Sequence, residues 1–238
     1  AATLSQASPE RIRDEFVRIL DAPSPAAHVH MLDELQLLAQ VIPEVEPLKD
    51  QAQSPPHRFD VWWHTLLVID GTVAILDLLA GRPTARRSYA DAPESAWADL
   101  QEVLAGLDGQ LRRHLAVRLH GGQRRSTLLI LAALCHDLGK PLTATEDEEG
   151  RIHFYGHERE GAEITARRMR RLRFSRREIE RVRTIVRAHL RPGHLSRVKG
   201  LVTRRAVYRF FRHTGSAGVE VVLLSLADHV ATYGPALE

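Results

Sequence analysis

The chain has 238 residues, 44 % apolar and 26 % charged, with a formal net charge of +3. That balance describes a globular protein with a sizeable core and excludes a disordered or collagen-like chain. A single cysteine, Cys135, excludes an internal disulfide framework, and the longest apolar run, Leu128 to Cys135, is too short to cross a bilayer, so a reducing, cytoplasmic setting with no membrane partner is expected.

Taken in chain order, Ser8-Pro9-Glu10-Arg11 reads as a helix start, with Ser8 as N-cap and Pro9 in the first turn. Ile12, Phe16, Ile19 and Leu20 share one face of that helix, which stops before Pro23 and Pro25. A second helix is expected over roughly Ala26 to Gln40, then a break at Ile42-Pro43-Glu44-Val45 and a loop from Gln51 to His57. A long apolar helix follows from about Asp60 to Leu79. Arg82 to Pro93 reads as a loop, and another helix covers roughly Ser95 to Leu119. A buried helix from about Ser126 leads into His136-Asp137 and stops at Gly139-Lys140-Pro141. Thr143 to Tyr155 has an acidic turn and period-2 alternation, the one β-hairpin candidate. His157 opens the next helix. Ser175-Arg176-Arg177-Glu178 fits a capping box for a helix ending near His189, which Arg191-Pro192-Gly193 breaks. Two helices close the chain, near Arg204 to Arg212 and Val219 to Ala231. The expected fold class is all-α, with a small helical N-terminal subdomain over residues 1–50 and a larger helical domain over 51–238.

Chemistry concentrates on the doublet His136-Asp137. Burying a carboxylate beside Leu134 and Leu138 costs several kcal/mol, on the order of the desolvation of one ion, unless a cation or strong donors compensate. Adjacent helical residues diverge by about 100°, so both reach one ion only near a helix end, which Gly139 and Pro141 supply. Asp228, after the apolar run Val221 to Ala227, has the same need of a partner; an arginine would meet it as well as a metal. His64, among Trp62, Trp63, Leu66 and Leu67, would by itself be an ordinary core histidine. His157 and His189 stand at helix ends, where a capping role is equally open. Lys140 is placed to hold a substrate phosphate or protonate a leaving oxygen, or simply to close a helix. Of the other histidines, read as surface or packing residues, His57 and His229 are the nearest to exceptions. Nitrogen and oxygen donors without thiolate suit a divalent ion used in hydrolysis, with Mn, Ni, Co, Mg, Fe and Zn all admitted.

The basic excess is local. Ten arginines between Arg167 and Arg187 are opposed within that stretch only by Glu178 and Glu180. Such a face attracts phosphates with sequence-blind, salt-sensitive affinity; solvated helix surface with i,i+4 pairs is the alternative. Arg168, Arg171, Arg173 and Arg177 are the candidate RNA or phosphate contacts.

In the order His64, His136-Asp137, Asp228, these residues resemble the H…HD…D signature of the HD superfamily of metal-dependent phosphohydrolases. The resemblance extends to Ser8–Glu15, Ile42-Pro43-Glu44, Asp60–Thr65, Ala132–Pro141, Gly156-His157-Glu158 with Gly161-Ala162, Arg171–Ser175 and His189–Pro192. Together they look like the C-terminal half of bacterial tRNA nucleotidyltransferase and poly(A) polymerase-like proteins over roughly residues 5 to 235. It implies an all-helical HD fold in which His64, His136, Asp137 and Asp228 hold the metal. His157 and His189 would bind a second ion or the substrate phosphate, and Asp137, Lys140 and His157 would take part in catalysis. The implied activity is that of a phosphomonoesterase or 2′,3′-cyclic phosphodiesterase on nucleotides or RNA 3′ ends, with tRNA as partner. A non-catalytic RNA-binding module with a vestigial or structural metal site is the alternative. The Gly-Gly loop and paired aspartates of the polymerase head are absent, so nucleotide addition is not expected from this chain. A chain beginning Ala1-Ala2-Thr3 reads as part of a longer protein or a stand-alone relative. Oligomeric state is open, a homodimer included.

Overall fold

The computed structural model describes residues 6–82, 100–196 and 202–233. Among them the structure is helical apart from one small antiparallel hairpin. Helix α1 (Pro9–Leu20) starts as its sequence dictates, with the Ser8 hydroxyl accepting from the Arg11 amide. Helix α2 (Pro25–Glu34) is shorter than expected. Gln36 adopts φ 56°, a left-handed conformation that ends the helix, and α3 (Leu38–Val41) then turns Leu38 and Val41 into the core. The break read at Ile42–Val45 is instead the start of a 3₁₀ turn over Pro43–Leu48.

Helix α4 (Val61–Leu79) is long and apolar enough to cross a membrane. However, 78 % of its most apolar window is buried in the fold, so it is a core helix. Asp60 caps it, accepting from the Trp63 amide at 2.8 Å. The loop read from Arg82 to Pro93 lies, beyond Arg82, outside the described residues, as does the start of the helix read over Ser95 to Leu119. Its remainder is two pieces: residues 100–104, then α5 (Asp108–Ala116), separated at Gly106 with φ 80°.

Helix α6 (Arg125–Cys135) is the centre of the molecule, with every residue from Thr127 to Cys135 buried. After the short α7 (Lys140–Thr143), strands β1 (Ala144–Glu146) and β2 (Ile152–Phe154) pair with Thr145 opposite His153. Helix α8 (His157–Arg171) follows. The capping box then starts α9 (Arg176–Ala188): the Ser175 hydroxyl accepts from Glu178 N, and the Glu178 carboxylate accepts from Ser175 N at 2.8 Å. The Arg191-Pro192-Gly193 stretch, read as a break, is a short helix, α10 (Arg191–Ser196). Helices α11 (Arg204–Thr214) and α12 (Gly218–Tyr233) are the last of the described elements.

One continuous apolar core joins Phe16, Leu20 and Val29 of the first helices to Leu66, Leu131, Val182 and Leu224. Helix α4 crosses α12 with Gly71 packed beside Ala227, where even a Cβ on Gly71 would stand in ordinary contact at 3.5 Å. That close crossing sets His64 and Asp228 face to face.

Candidate metal centre

The doublet lies where the apolar helix stops. His136 is the C-cap of α6, and Asp137 begins the turn that leads into α7. The turn is pressed against the start of α8. A Cβ on Gly139 would stand 2.2 Å from the His157 carbonyl oxygen, and one on Gly161 would lie 3.2 Å from Gly139 N. Two glycines therefore let the α8 backbone abut the doublet, and this contact sets His157 beside Asp137. Gly139→Ala is expected to cost about 3 kcal/mol or more, the upper range for overpacking, and to shift His157. Urea unfolding with metal analysis checks this; unchanged stability would contradict the contact.

Five elements converge. His64 Nε2 lies 3.0 Å from Asp228 Oδ1 and 3.6 Å from Asp137 Oδ2. His136 Nε2 is 3.1 Å from Asp137 Oδ2, and His157 Nε2 is 3.3 Å from Asp137 Oδ1. The His189 ring, at the C-terminal end of α9, stands 5.3 Å from the His136 ring and 5.4 Å from the His157 ring. His64, His136, Asp137, His157 and His189 are almost completely buried, whereas the Asp228 side chain retains 19 % exposure. Donor atoms of His64, His136 and Asp137 all lie within 4.8 Å of one another, and so do those of Asp137, His157 and His189. Asp137 belongs to both groups.

The ring orientations share a logic. His136, His157 and His189 each use Nδ1 to donate to a backbone carbonyl three residues earlier: Ala133 at 2.8 Å, Phe154 at 2.7 Å and Val186 at 2.6 Å. This tautomer leaves each Nε2 lone pair directed inward, the arrangement of metal-binding imidazoles. The Nε2 atoms of His64, His136, His157 and His189 and Oδ2 of Asp137 are buried without an aligned hydrogen bond, although several carboxylate contacts are close. Buried polar atoms seldom go unsatisfied. A divalent cation held by either group of donors would satisfy the atoms of that group, so the residues fit such an ion.

Two residues complete the wall. Lys140 Nζ lies 2.7 Å from Asp137 Oδ2 and donates to Gln53 Oε1 at 2.5 Å. The His57 ring meets the His64 ring edge-on at 4.9 Å. Gln53 was missed in the sequence, since an amide in a loop carries no spacing signal. The centre opens to a cleft of about 490 Å³ lined also by His57, His153, Tyr155, His194 and His229. Thus His57 and His229 do reach it. So do His153 and His194, which sequence reasoning had left among surface and packing residues.

The charges are strongly perturbed. Burial pushes Asp137 up, but the His136 and Lys140 charges outweigh it and hold the carboxyl well below the usual range. Asp228 is likewise held down by its close 3.0 Å contact with His64 and the charge attraction there, against burial. Burial lowers His136, yet Asp137 outweighs it and raises the ring. His189 is pushed down to about 3, by burial first and then by His136 and His157. His57 is lowered to about 4, by burial and then by Lys140 and His64. The Cys135 thiol, in the same helix, is pushed up to about 12 by burial and is inert.

These shifts set the acid stability of the metal-free chain. Between pH 6.5 and about 4 the unfolded chain gains protons on His57 and His189 that the folded chain does not. Stability therefore falls as pH falls, by up to about 1.4 kcal/mol per pH unit for the fully buried His189 and by less for the half-buried His57. Below about pH 4 the stability from Asp137 and Asp228 is lost as well. His136, raised, stabilises below its unfolded value and loses that contribution as pH rises through its folded one. Urea midpoints in chelator from pH 7.5 to 4.5 test this; a flat profile below pH 6.5 would contradict neutral, buried histidines.

The profile of the HD domain matches residues 106–233. The chain belongs to the HD domain family. The HD domain here is preceded by a match to the probable RNA- and SrmB-binding site of polymerase A over residues 1–49. The chain is homologous to the C-terminal portions of tRNA nucleotidyltransferases. It is 31 % identical over 226 residues to the CC-adding tRNA nucleotidyltransferase of Thermus thermophilus, covering 94 % of this chain and 40 % of that protein. It is 29 % identical over 227 residues to the A-adding tRNA nucleotidyltransferase of Deinococcus radiodurans, covering 95 % and 40 %. A shorter stretch of 69 residues is 36 % identical to the multifunctional CCA protein of Halorhodospira halophila, covering 28 % of this chain and 17 % of that protein. The chain thus spans about 40 % of the length of the first two relatives. The all-helical HD fold is borne out.

The arginine face differs from its sequence reading. Arg168 makes a bidentate pair with Glu44 of the 3₁₀ turn, at 2.8 to 3.1 Å, and its side chain is only 12 % exposed. It ties the first segment to α8 rather than facing a phosphate. Arg181 is buried against Glu220, and Arg183 pairs with Glu163. Acids distant in sequence take up these charges. Arg171, Arg173 and Arg177 are exposed.

Proposed function

We propose that this HD domain is a metal-dependent phosphohydrolase acting on phosphomonoester or 2′,3′-cyclic phosphodiester groups of nucleotides or RNA 3′ ends. The observation that carries the reading is the set of five buried, unsatisfied ligand atoms, of which those of Asp137, His157 and His189 belong to residues lining an open cleft. His64, His136, Asp137 and Asp228 would hold the ion, with His157 and His189 for a second ion or the substrate phosphate. A divalent ion supplies a Lewis acid that polarises a phosphoryl oxygen and makes water nucleophilic at neutral pH.

The chain's own groups do the rest. Asp137 accepts a proton or orients water through a carboxylate kept ionised by its neighbours. Lys140, on the cleft wall and held between Asp137 and Gln53, offers its ammonium to a phosphate oxygen or to the leaving oxygen. His189, held neutral by burial, presents Nε2 as an acceptor. Exposed Arg171, Arg173 and Arg177 would contact RNA backbone, and residues 1–50 would act as an RNA-binding linker before a domain from 51 onward.

The match over residues 1–49 and the names of the relatives favour tRNA as the partner, which is also compatible with the alternative of a non-catalytic RNA-binding module. Elemental analysis of the purified chain decides between them. It is paired with hydrolysis of a generic phosphodiester and a 2′,3′-cyclic nucleotide in Mn, Ni, Co or Mg. Metal near one per chain with chelator-sensitive turnover is expected. Metal without turnover under any ion would leave the binding module.

A further inference from the structure

Two residues before His157, the β2–α8 turn carries an aromatic ring that metal chemistry does not use. Tyr155 is 76 % exposed, the most exposed of the large apolar or aromatic side chains among the described residues. It lines the same cleft as Asp137, Lys140, His157 and His189. Its ring lies parallel to that of His153, with centroids 5.3 Å apart and planes 9° apart. His153 is itself anchored, with Nε2 2.6 Å from Asp147 Oδ2 across the hairpin turn. Tyr155 is thus paired with an anchored ring and still largely exposed. From another wall of the cleft, His229 and Tyr233 add a second ring pair, with centroids 4.7 Å apart and planes tilted by 31°.

We propose that Tyr155, backed by His153, is a nucleobase-stacking platform that gives the cleft its preference for nucleoside phosphates over other phosphate esters. A single exposed tyrosine is ordinary on a protein surface; a ring paired with an anchored histidine and lining the same cleft of about 490 Å³ as Lys140 and Arg151 is not. A single residue, Gly156, separates Tyr155 from His157, so their Cα atoms are at most about 7 Å apart, and both side chains line the same cleft. Stacking needs only a π-face, so the platform accepts purines and pyrimidines, as expected where the substrate is an unpaired terminal nucleotide. Arg151, also lining the cleft, and Lys140, which lies 5.3 Å from the Phe154 ring centroid, supply the positive charge for the phosphate. The inference rests on the phosphohydrolase reading for its substrate class, but its readout is binding, not turnover.

The test titrates the full chain, in chelator to prevent turnover, with adenosine 5′-monophosphate and with ribose 5-phosphate by calorimetry. The nucleotide is expected to bind about tenfold more tightly, the usual worth of one stacked base. Tyr155→Ala should erase that advantage and leave ribose 5-phosphate affinity unchanged, while Tyr155→Phe should retain it. Equal affinities in the unaltered chain, or an advantage that survives Tyr155→Ala, would overturn the platform. Metal-dependent hydrolysis of ribose 5-phosphate, measured separately, reports on the phosphohydrolase reading alone, so the two can fail independently.

Discussion

Asp137→Ala is expected to reduce bound metal from near one per chain to background and to lower turnover by at least about a hundredfold, since loss of even an outer-sphere partner costs 10- to 100-fold. The reason is topological. Asp137 is the one carboxylate shared by both groups of donors, one with His64 and His136, the other with His157 and His189. Among the described residues no other side chain belongs to both groups. His189→Ala removes a donor from only one group, so it should retain metal and lose turnover. Asp228→Asn, at the more exposed edge, should weaken metal binding less than Asp137→Ala. Metal content by elemental analysis and turnover of a 2′,3′-cyclic nucleotide give the ranking. Full metal occupancy in Asp137→Ala would sink the assignment. The folded state must be checked alongside, because His136 and Lys140 lose their nearest counter-charge.

Much of this site is legible in the sequence, and the reason differs by residue. The doublet declared itself because a carboxylate and an imidazole interrupt an apolar helix that ends within two residues, and the structure has His136 as the cap of α6. The facing of His64 and Asp228 was not legible from spacing. It depends on the Gly71–Ala227 crossing of α4 and α12, and only the family resemblance pointed to it. His157 and His189 were ambiguous helix ends until their Nδ1 atoms were seen bonded to backbone carbonyls, which settles the direction of Nε2.

What was illegible shares a cause: partners far apart in sequence. Arg168 looked like a free cation because Glu44 lies in another segment. Gln53 had no pattern to find, and Lys140 selects it only in three dimensions. Local breaks were missed for a related reason. The end of α2 rests on a left-handed Gln36, where no glycine or proline warns of it. The hairpin, by contrast, has its turn chemistry and alternation in one short stretch, and it was read correctly.

The largest expected effect on stability lies away from the metal centre, at a second buried charge cluster that sequence reading also passed over. Glu220, in the first turn of α12, has no exposed side-chain surface. Arg181 of α9 donates to its Oε1 at 2.5 Å, and His114 of α5 meets its Oε2 at 2.9 Å. Arg125 of α6 donates to His114 Nδ1 at 2.8 Å, which assigns the proton of that ring to Nε2, facing Glu220. Four helices are thus joined through one carboxylate. Arg181→Met keeps the aliphatic stem but strands the carboxylate, and it should cost about 3–5 kcal/mol, the usual penalty for breaking a buried ion pair from one side. Arg181→Met with Glu220→Leu removes both charges and should recover most of that loss, since apolar replacements of a buried pair are often neutral. Urea unfolding of the two variants gives the comparison. A single-variant loss under about 1 kcal/mol, the range of an exposed pair, would mean that water reaches Glu220 and that the network is not what fixes α12. Because Asp228 lies on the same helix, a loosened α12 should also weaken metal binding in Arg181→Met and not in the double variant, which links the buried cluster to the geometry of the site.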